Sequence, residues 1–296
     1  MRADPFYNNG LSTSLDTITS RQDTLTSELS SGLAVSAPSD DPLAASQGVA
    51  LSGAISRDDA YIASASTLEG RLQTADSVLG SVVSQLTSAI SSATSGINST
   101  LSASNLQTIG TTLSAIRDQV VSLANTSYAG SYLFGGTAGN TQPYTADASG
   151  NATYNGDANS SYTQTPGGQK IATGMPGSAI FSASGADVLT TLNNLIADFS
   201  SGSISSSAQS DLNELTAGLA NVSAQRSVLD GSLNTIQQTS TYASTDKTNL
   251  AATQSSLVSA DTATIATQLS AAQTQSEALM SVMSSLGSKS LFDFMQ

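Results

Sequence analysis

The chain contains no histidine and no cysteine. Ser-His-Asp triads, Cys-His dyads, imidazole or thiolate metal sites and disulfides are therefore excluded, and any catalysis would rest on carboxylates. Asp40 and Asp41 are adjacent, but Asp41 precedes Pro42 and reads as a helix N-cap with proline at the first helical position, leaving Asp40 as a turn residue after Pro38. Asp58 and Asp59 lie in a helical pattern, where sequence neighbours point about 100° apart and cannot flank one substrate atom. Gly135-Gly136-Thr137-Ala138-Gly139 lacks the Lys-Ser/Thr and the helix start of a phosphate loop and reads as a turn. Asp147 and Asp157 stand too far apart for a calcium loop. Sequons such as Asn151-Ala152-Thr153 are expected by chance where Ser and Thr are this common. The residues predict no catalytic group, no metal site and no cofactor.

Composition narrows the class further. Of 296 residues only 10% are charged and 5% aromatic, with no Trp, so apolar burial must come from thin seams of Leu, Ile and Val among small polar residues. Each seam contributes little at about 25 cal/mol per Å², and helices of this kind depend on their neighbours. The net charge of −13, with nine scattered basic residues, argues against nucleic acid as a partner. No apolar run approaches the roughly 20 residues a bilayer span needs, so membrane insertion is not expected. The first residues lack the pattern of a cleavable signal peptide.

The elements are legible as seams with alternating three- and four-residue steps. Leu11, Leu15, Ile18, Gln22, Leu25 and Leu29 form one. Ile265, Leu269, Ala272, Ser276, Leu279, Met283 and Leu286 form its counterpart near the other end. The average step of 3.5 residues keeps an apolar stripe facing a partner helix. A long seam runs from Leu51 through Ile55, Ile62, Ala65, Leu72, Leu79, Val83, Leu86, Ile90 and Ala93 to Ile97, interrupted by Asp58, Glu69 and Asp76. A turn is expected around 96–104, then a helix carrying Leu106 to Leu123. Another seam from Leu212 to Leu257 places Arg226 and Lys247 where opposite charges on an antiparallel partner could meet them.

Between these helices the texture changes. From Tyr128 to Ser184 the chain is rich in Gly, Tyr, Thr and Asn, and segments around Tyr132, Tyr144, Tyr154, Tyr162 and Ile171 read as short strands. The expected fold is mainly α: an elongated antiparallel long-helix bundle with coiled-coil termini and a small β-rich inserted domain. The expected division is 1–40 with 260–296 as terminal helices, 41–127 with 185–259 as a long-helix core, and 128–184 as an outer β-rich domain.

Several motifs resemble the flagellin family of bacterial flagellar axial proteins. Leu29-Ser30-Ser31-Gly32-Leu33 is similar to that family's leucine-serine-x-glycine helix end, and an Asp-Asp turn follows it. The form Pro38-Ser39-Asp40-Asp41-Pro42, followed by Ala44-Ala45-Ser46, resembles members at the hook–filament junction more than filament flagellins. Leu123-Ala124-Asn125-Thr126 with Tyr132-Leu133-Phe134-Gly135-Gly136, and the tail Ser290-Leu291-Phe292-Asp293-Phe294-Met295, are similar to the same members. The start, Met1-Arg2-Ala3-Asp4-Pro5, departs from the family pattern.

The resemblance implies a non-enzymatic structural role joining hook to filament in the extracellular flagellum, reached by export without a cleaved signal. It also implies as partners further copies of the chain in a ring, a hook-side hook-associated protein, flagellin and a cytoplasmic export chaperone. The expected assembly interface is Leu11, Leu15, Ile18, Leu25 and Leu29 with Ile265, Leu269, Leu279, Met283 and Leu286, and Pro38, Asp40, Asp41 and Pro42 form the turn and cap between layers. A minor filament flagellin, or a helical signalling or binding module, are the alternative readings.

Overall fold

The computed structural model describes the backbone of residues 5–98 and 101–292, and side chains over 9–98 and 101–285. Among the described residues, seven helices and eight short strands follow in the order α1 (Pro5–Ser31), α2 (Pro42–Asn98), α3 (Ala103–Ala124), β1 (Ser127–Tyr128), β2 (Ser131–Tyr132), β3 (Tyr144–Ala146), β4 (Ala152–Tyr154), β5 (Ser161–Gln164), β6 (Lys170–Gly174), α4 (Gly177–Phe181), β7 (Ser182–Ala183), β8 (Ala186–Asp187), α5 (Val188–Ser200), α6 (Ala208–Val258) and α7 (Thr262–Phe292). The chain divides into two compact units, Met1–Arg57 with Asp246–Gln296 and Asp58–Thr245.

The second unit holds the dense core. Within it the buried residues of α2 are Asp58, Tyr61, Ala65, Leu72, Ala75, Val78, Leu79, Val82, Leu86, Ala89, Ala93 and Gly96. Alternate positions thus sit one residue earlier than the expected seam: Ala75 replaces Asp76, Val82 replaces Val83, and Ala89 replaces Ile90. Small residues in the line let the neighbouring backbone approach closely, while the larger Val83, Ile90 and Ile97 flank it half-buried. The expected turn at Gly96 is helix instead, since α2 continues to Asn98. A Cβ at Gly96 would collide with the ring of Phe199, so the glycine makes room for an aromatic from α5.

Within this unit α2 and α6 run antiparallel, as two cross-helix contacts fix. The Tyr61 and Thr239 hydroxyls meet at 2.5 Å, and fifteen residues further along α2 Arg226 grips Asp76 through Nε at 2.5 Å and Nη2 at 3.1 Å. The opposition of seam charges anticipated from spacing is realised in that pair. The guanidinium beside Asp76 holds its carboxyl below the usual range despite partial burial.

The strands form four separate two-stranded antiparallel pairs. The tyrosines and isoleucine expected to mark strands lie in β2 to β6. The segment is not wholly β: α4 interrupts it, because Ile180 and Phe181 are fully buried against the aromatic core. Phe134 and Tyr144 each meet Phe181 edge-on, with ring centroids 5.6 and 5.8 Å apart. Asn125, at the end of α3, pairs with Tyr144 like a strand neighbour, accepting from its backbone N–H and donating to its C=O, both at 2.8 Å. That pairing satisfies polar groups an isolated hairpin would leave unmet.

Candidate assembly interface

The first unit is built on α1 and α7, which pack together. Along α1, Leu11, Leu15, Ile18 and Gln22 are half-buried and Leu25 is 5% exposed. Along α7, Ile265 and Ala272 are 7% and 4% exposed, while Leu269, Leu279 and Met283 are half-buried. These positions share one stripe, as their spacing demands. Ser276 is also buried there, a small polar residue where a longer apolar one would have filled the seam. Leu29 stands apart from this stripe, exposed at 38%, and the side chain of Leu286 lies outside the described residues.

Two troughs open on this unit. One, of about 310 Å³, lies between Ile18 and the α7 residues Gln275, Ala278, Leu279 and Val282. The other, of about 270 Å³, is floored by Val35, Ala37, Pro38, Ala45, Val49 and Val258. Leu33, Leu43, Val49, Met280 and Val282 are among the exposed large apolar residues of the unit.

The turn between α1 and α2 is organised by its two aspartates. Asp41 accepts from the backbone N–H groups of Leu43 at 2.9 Å and Ala44 at 3.0 Å, satisfying the first turn of α2, and Pro42 occupies the position where no N–H is needed. Asp40 turns back and accepts from the Ala37 and Ser36 N–H groups at 2.8 and 3.0 Å and from the Ser36 hydroxyl. Those hydrogen bonds, the Ala37 N–H foremost, hold its carboxyl below the usual range. Pro38 lines the second trough beside this loop. The two acids thus divide into a loop clasp and a helix cap.

One contact had no signal in the apolar spacing. Leu33 and Ser259 form an isolated antiparallel bridge, with Ala34 N–H donating to Val258 C=O at 2.8 Å and Ala260 N–H to Gly32 C=O at 2.9 Å. It ties the exit of α1 to the entry of α7. Gly32, at φ +69°, supplies the left-handed residue that ends α1 and aims the chain into this bridge. Asp261 then caps α7 through the Ala263 and Thr264 N–H groups and the Thr264 hydroxyl. Gln254 adds a third tie, donating from Nε2 to the Gly48 C=O at 3.0 Å. The glycine after Ser31 and the aspartate before Thr262 were the only local clues, and both are common enough to be uninformative alone.

Residues 7–139 match the family described as the bacterial flagellin N-terminal helical region. This segment, somewhat under half of the chain, is similar to that family. It contains α1, the Pro38–Pro42 turn, α2, α3 and the first strand pair. Among curated relatives, flagellar hook-associated protein 3 of Salmonella typhimurium is 29% identical over 157 residues, covering 53% of this chain and 49% of that protein. The protein of that name from Escherichia coli is 28% identical over 155 residues, covering 52% and 48%. The match therefore spans about half the length of the curated relatives. A flagellar hook-associated protein from Vibrio parahaemolyticus has the same fold, with a TM-score of 0.64 at 24% identity over 74% of this chain and all of that one. So does flagellar hook-associated protein-3 from Legionella pneumophila, at 0.64 and 14% identity over 70% and 98%.

Proposed function

We propose that this chain is a flagellin-family structural component of the extracellular bacterial flagellum that joins hook to filament, and that it works by assembly and not by catalysis. The observation that carries the reading is the first unit, in which the α1–α7 pair buries a single thin stripe and Leu29, Leu33, Leu43, Val49, Met280 and Val282 stay exposed, Val282 and Val49 each lining one of the two troughs. Apolar troughs at a surface mark an interaction site. Neighbouring copies, a hook-side hook-associated protein and flagellin are the partners that would cover them. Over the described residues 5–40 and 260–292 these segments order fully only on assembly, when those neighbours bury the seams; the rest of the expected terminal segments, 1–4 and 293–296, lies outside the described residues. Before export a chaperone shields the same stripes. The Pro38–Pro42 turn supports a junction role over that of a filament subunit.

Electron microscopy of a deletion strain tests this. Bare hooks with flagellin shed into the medium are expected. Filaments that remain attached would instead identify a minor filament flagellin. Leu269→Asp and Leu15→Asp should each reproduce the bare-hook phenotype while the purified protein keeps its main unfolding transition. Normal swimming in both variants would overturn the reading.

A further inference from the structure

Arg71 lies on α2 within the second unit, half-buried. The other half-buried arginines of this unit are engaged: Arg117 with Asp118 and Asn193, Arg226 with Asp76. Among the described residues, no hydrogen bond or ion pair reaches Arg71, and desolvation alone acts on it, holding its pKa below the ordinary value. Its side chain borders a largely enclosed cavity of about 10 Å³ whose walls include Leu72, Ala75, Leu133, Met175 and Leu229. Gly174 presents no side chain against it; a Cβ there would come within 3.7 Å of the guanidinium Nη2.

A guanidinium has five donors, and partial burial without an acceptor is costly. The cost is conspicuous in this chain, where 22 acidic residues outnumber nine basic ones and carboxylates are abundant. The cavity holds roughly one water and takes no ligand itself, so an anion reaching the half-buried Arg71 must approach its guanidinium from the solvent side. Copies of a chain carrying −13 repel one another overall. A local bidentate contact between arginine and carboxylate offsets that repulsion at one point and fixes orientation.

We propose that Arg71 receives an aspartate or glutamate carboxylate from a second copy of this chain, and so sets the register between neighbouring second units. The inference rests on the self-assembly reading above, but it concerns a contact distant in sequence from the α1 and α7 seams.

The test uses isolated flagella. In Arg71→Lys the new amine keeps the charge and becomes reactive toward a water-soluble carbodiimide, which joins it to a contacting carboxylate with no spacer. The expected product is a covalent dimer of this chain, linked between position 71 and an Asp or Glu and absent from wild type. Coupling only within one chain, only to another protein, or not at all would overturn the proposal. As a second measurement, Arg71→Gln should weaken filament retention under shear about tenfold while the isolated protein melts at an unchanged or higher temperature. Retention equal to wild type would also overturn it. A third arm compares melting of the isolated protein in phosphate, sulfate and chloride at matched ionic strength. Stabilisation by phosphate that Arg71→Gln abolishes would reassign the site to a free anion. If Leu269→Asp detaches filaments yet no such dimer forms, the assembly reading stands and this inference alone fails.

Discussion

The two units solve burial differently. The second removes Tyr144, Phe134, Phe181 and Phe199 almost completely from water, and surrounds them with leucines and isoleucines from α2, α3, α5 and α6. In the first, among the described residues, the buried apolar side chains are Leu25, Ala44, Ile265 and Ala272, two of them alanine. Helix propensity and capping are adequate in both, since Asp41 and Asp261 close the N-termini of α2 and α7 as Asp187 closes that of α5. The difference lies in apolar area. Burial contributes in proportion to the area removed from water, so the second unit stabilises itself while the first leaves its stabilisation to whatever covers it.

Four measurements would sharpen or break this contrast. Phe181→Ala should have the largest effect: about 3–5 kcal/mol lost from the main unfolding transition, read in denaturant. A loss below about 1 kcal/mol would mean that the aromatic cluster is not the centre of that unit. Leu25→Ala should cost about 2 kcal/mol locally. It should speed amide exchange in α1 and α7 and leave the main transition where it was. A shift of the main transition as large as that of Phe181→Ala would show that the units unfold together, and the contrast would fail.

Smaller still is the Asp76–Arg226 pair, whose side chains are 25% and 39% exposed. Solvent screening limits Asp76→Ala to about 0.5–1 kcal/mol in the same transition, with a diminished effect at high salt. The smallest response is to acid. Hydrogen bonds from Ala37 N–H to Asp40 and from Thr264 to Asp261 hold both exposed carboxyls below their ordinary value. Their folded pKa lies beneath the unfolded one, about 3.9. Their contribution is therefore complete above about pH 4 and is lost as the pH falls through the lowered folded values. Exchange at the first turn of α7 should rise over that range in wild type. Asp261→Asn, which keeps a capping oxygen but does not titrate there, should remove the pH dependence.

Much of this organisation was legible in local pattern. Three-four spacing located every long helix, Asp41 before Pro42 marked the start of α2, and aromatic residues between glycines marked β2 to β5. Isoleucine marked β6. Where the reading slipped, the cause was packing. Spacing alone cannot tell Ala89 from Ile90 as the residue that faces inward; the closeness of the neighbouring helix decides, and it favours the smaller side chain. Gly96 looked like a helix end and is instead the space occupied by Phe199, from a hundred residues later. Of the expected interface, Leu25 and Ile265 are buried in the stripe, whereas Leu29 faces solvent. The bridge of Leu33 to Ser259 is made of backbone hydrogen bonds between distant segments, and the Asn125 side-chain amide pairs with the Tyr144 backbone; apolar spacing encodes neither.

The sequence by itself determined which stretches are helical, where they are capped, that histidine and thiol chemistry are excluded, and that apolar area is scarce. Periodicity, proline and capping aspartates act over a few residues, so those properties can be read locally. Only the tertiary structure decided which side of each seam turns inward, that Asp76 finds Arg226, and that Arg71 finds no partner among the described residues. These outcomes depend on which distant backbone comes close enough to exclude water or supply an acceptor. That proximity is a property of the packed chain and of no segment within it.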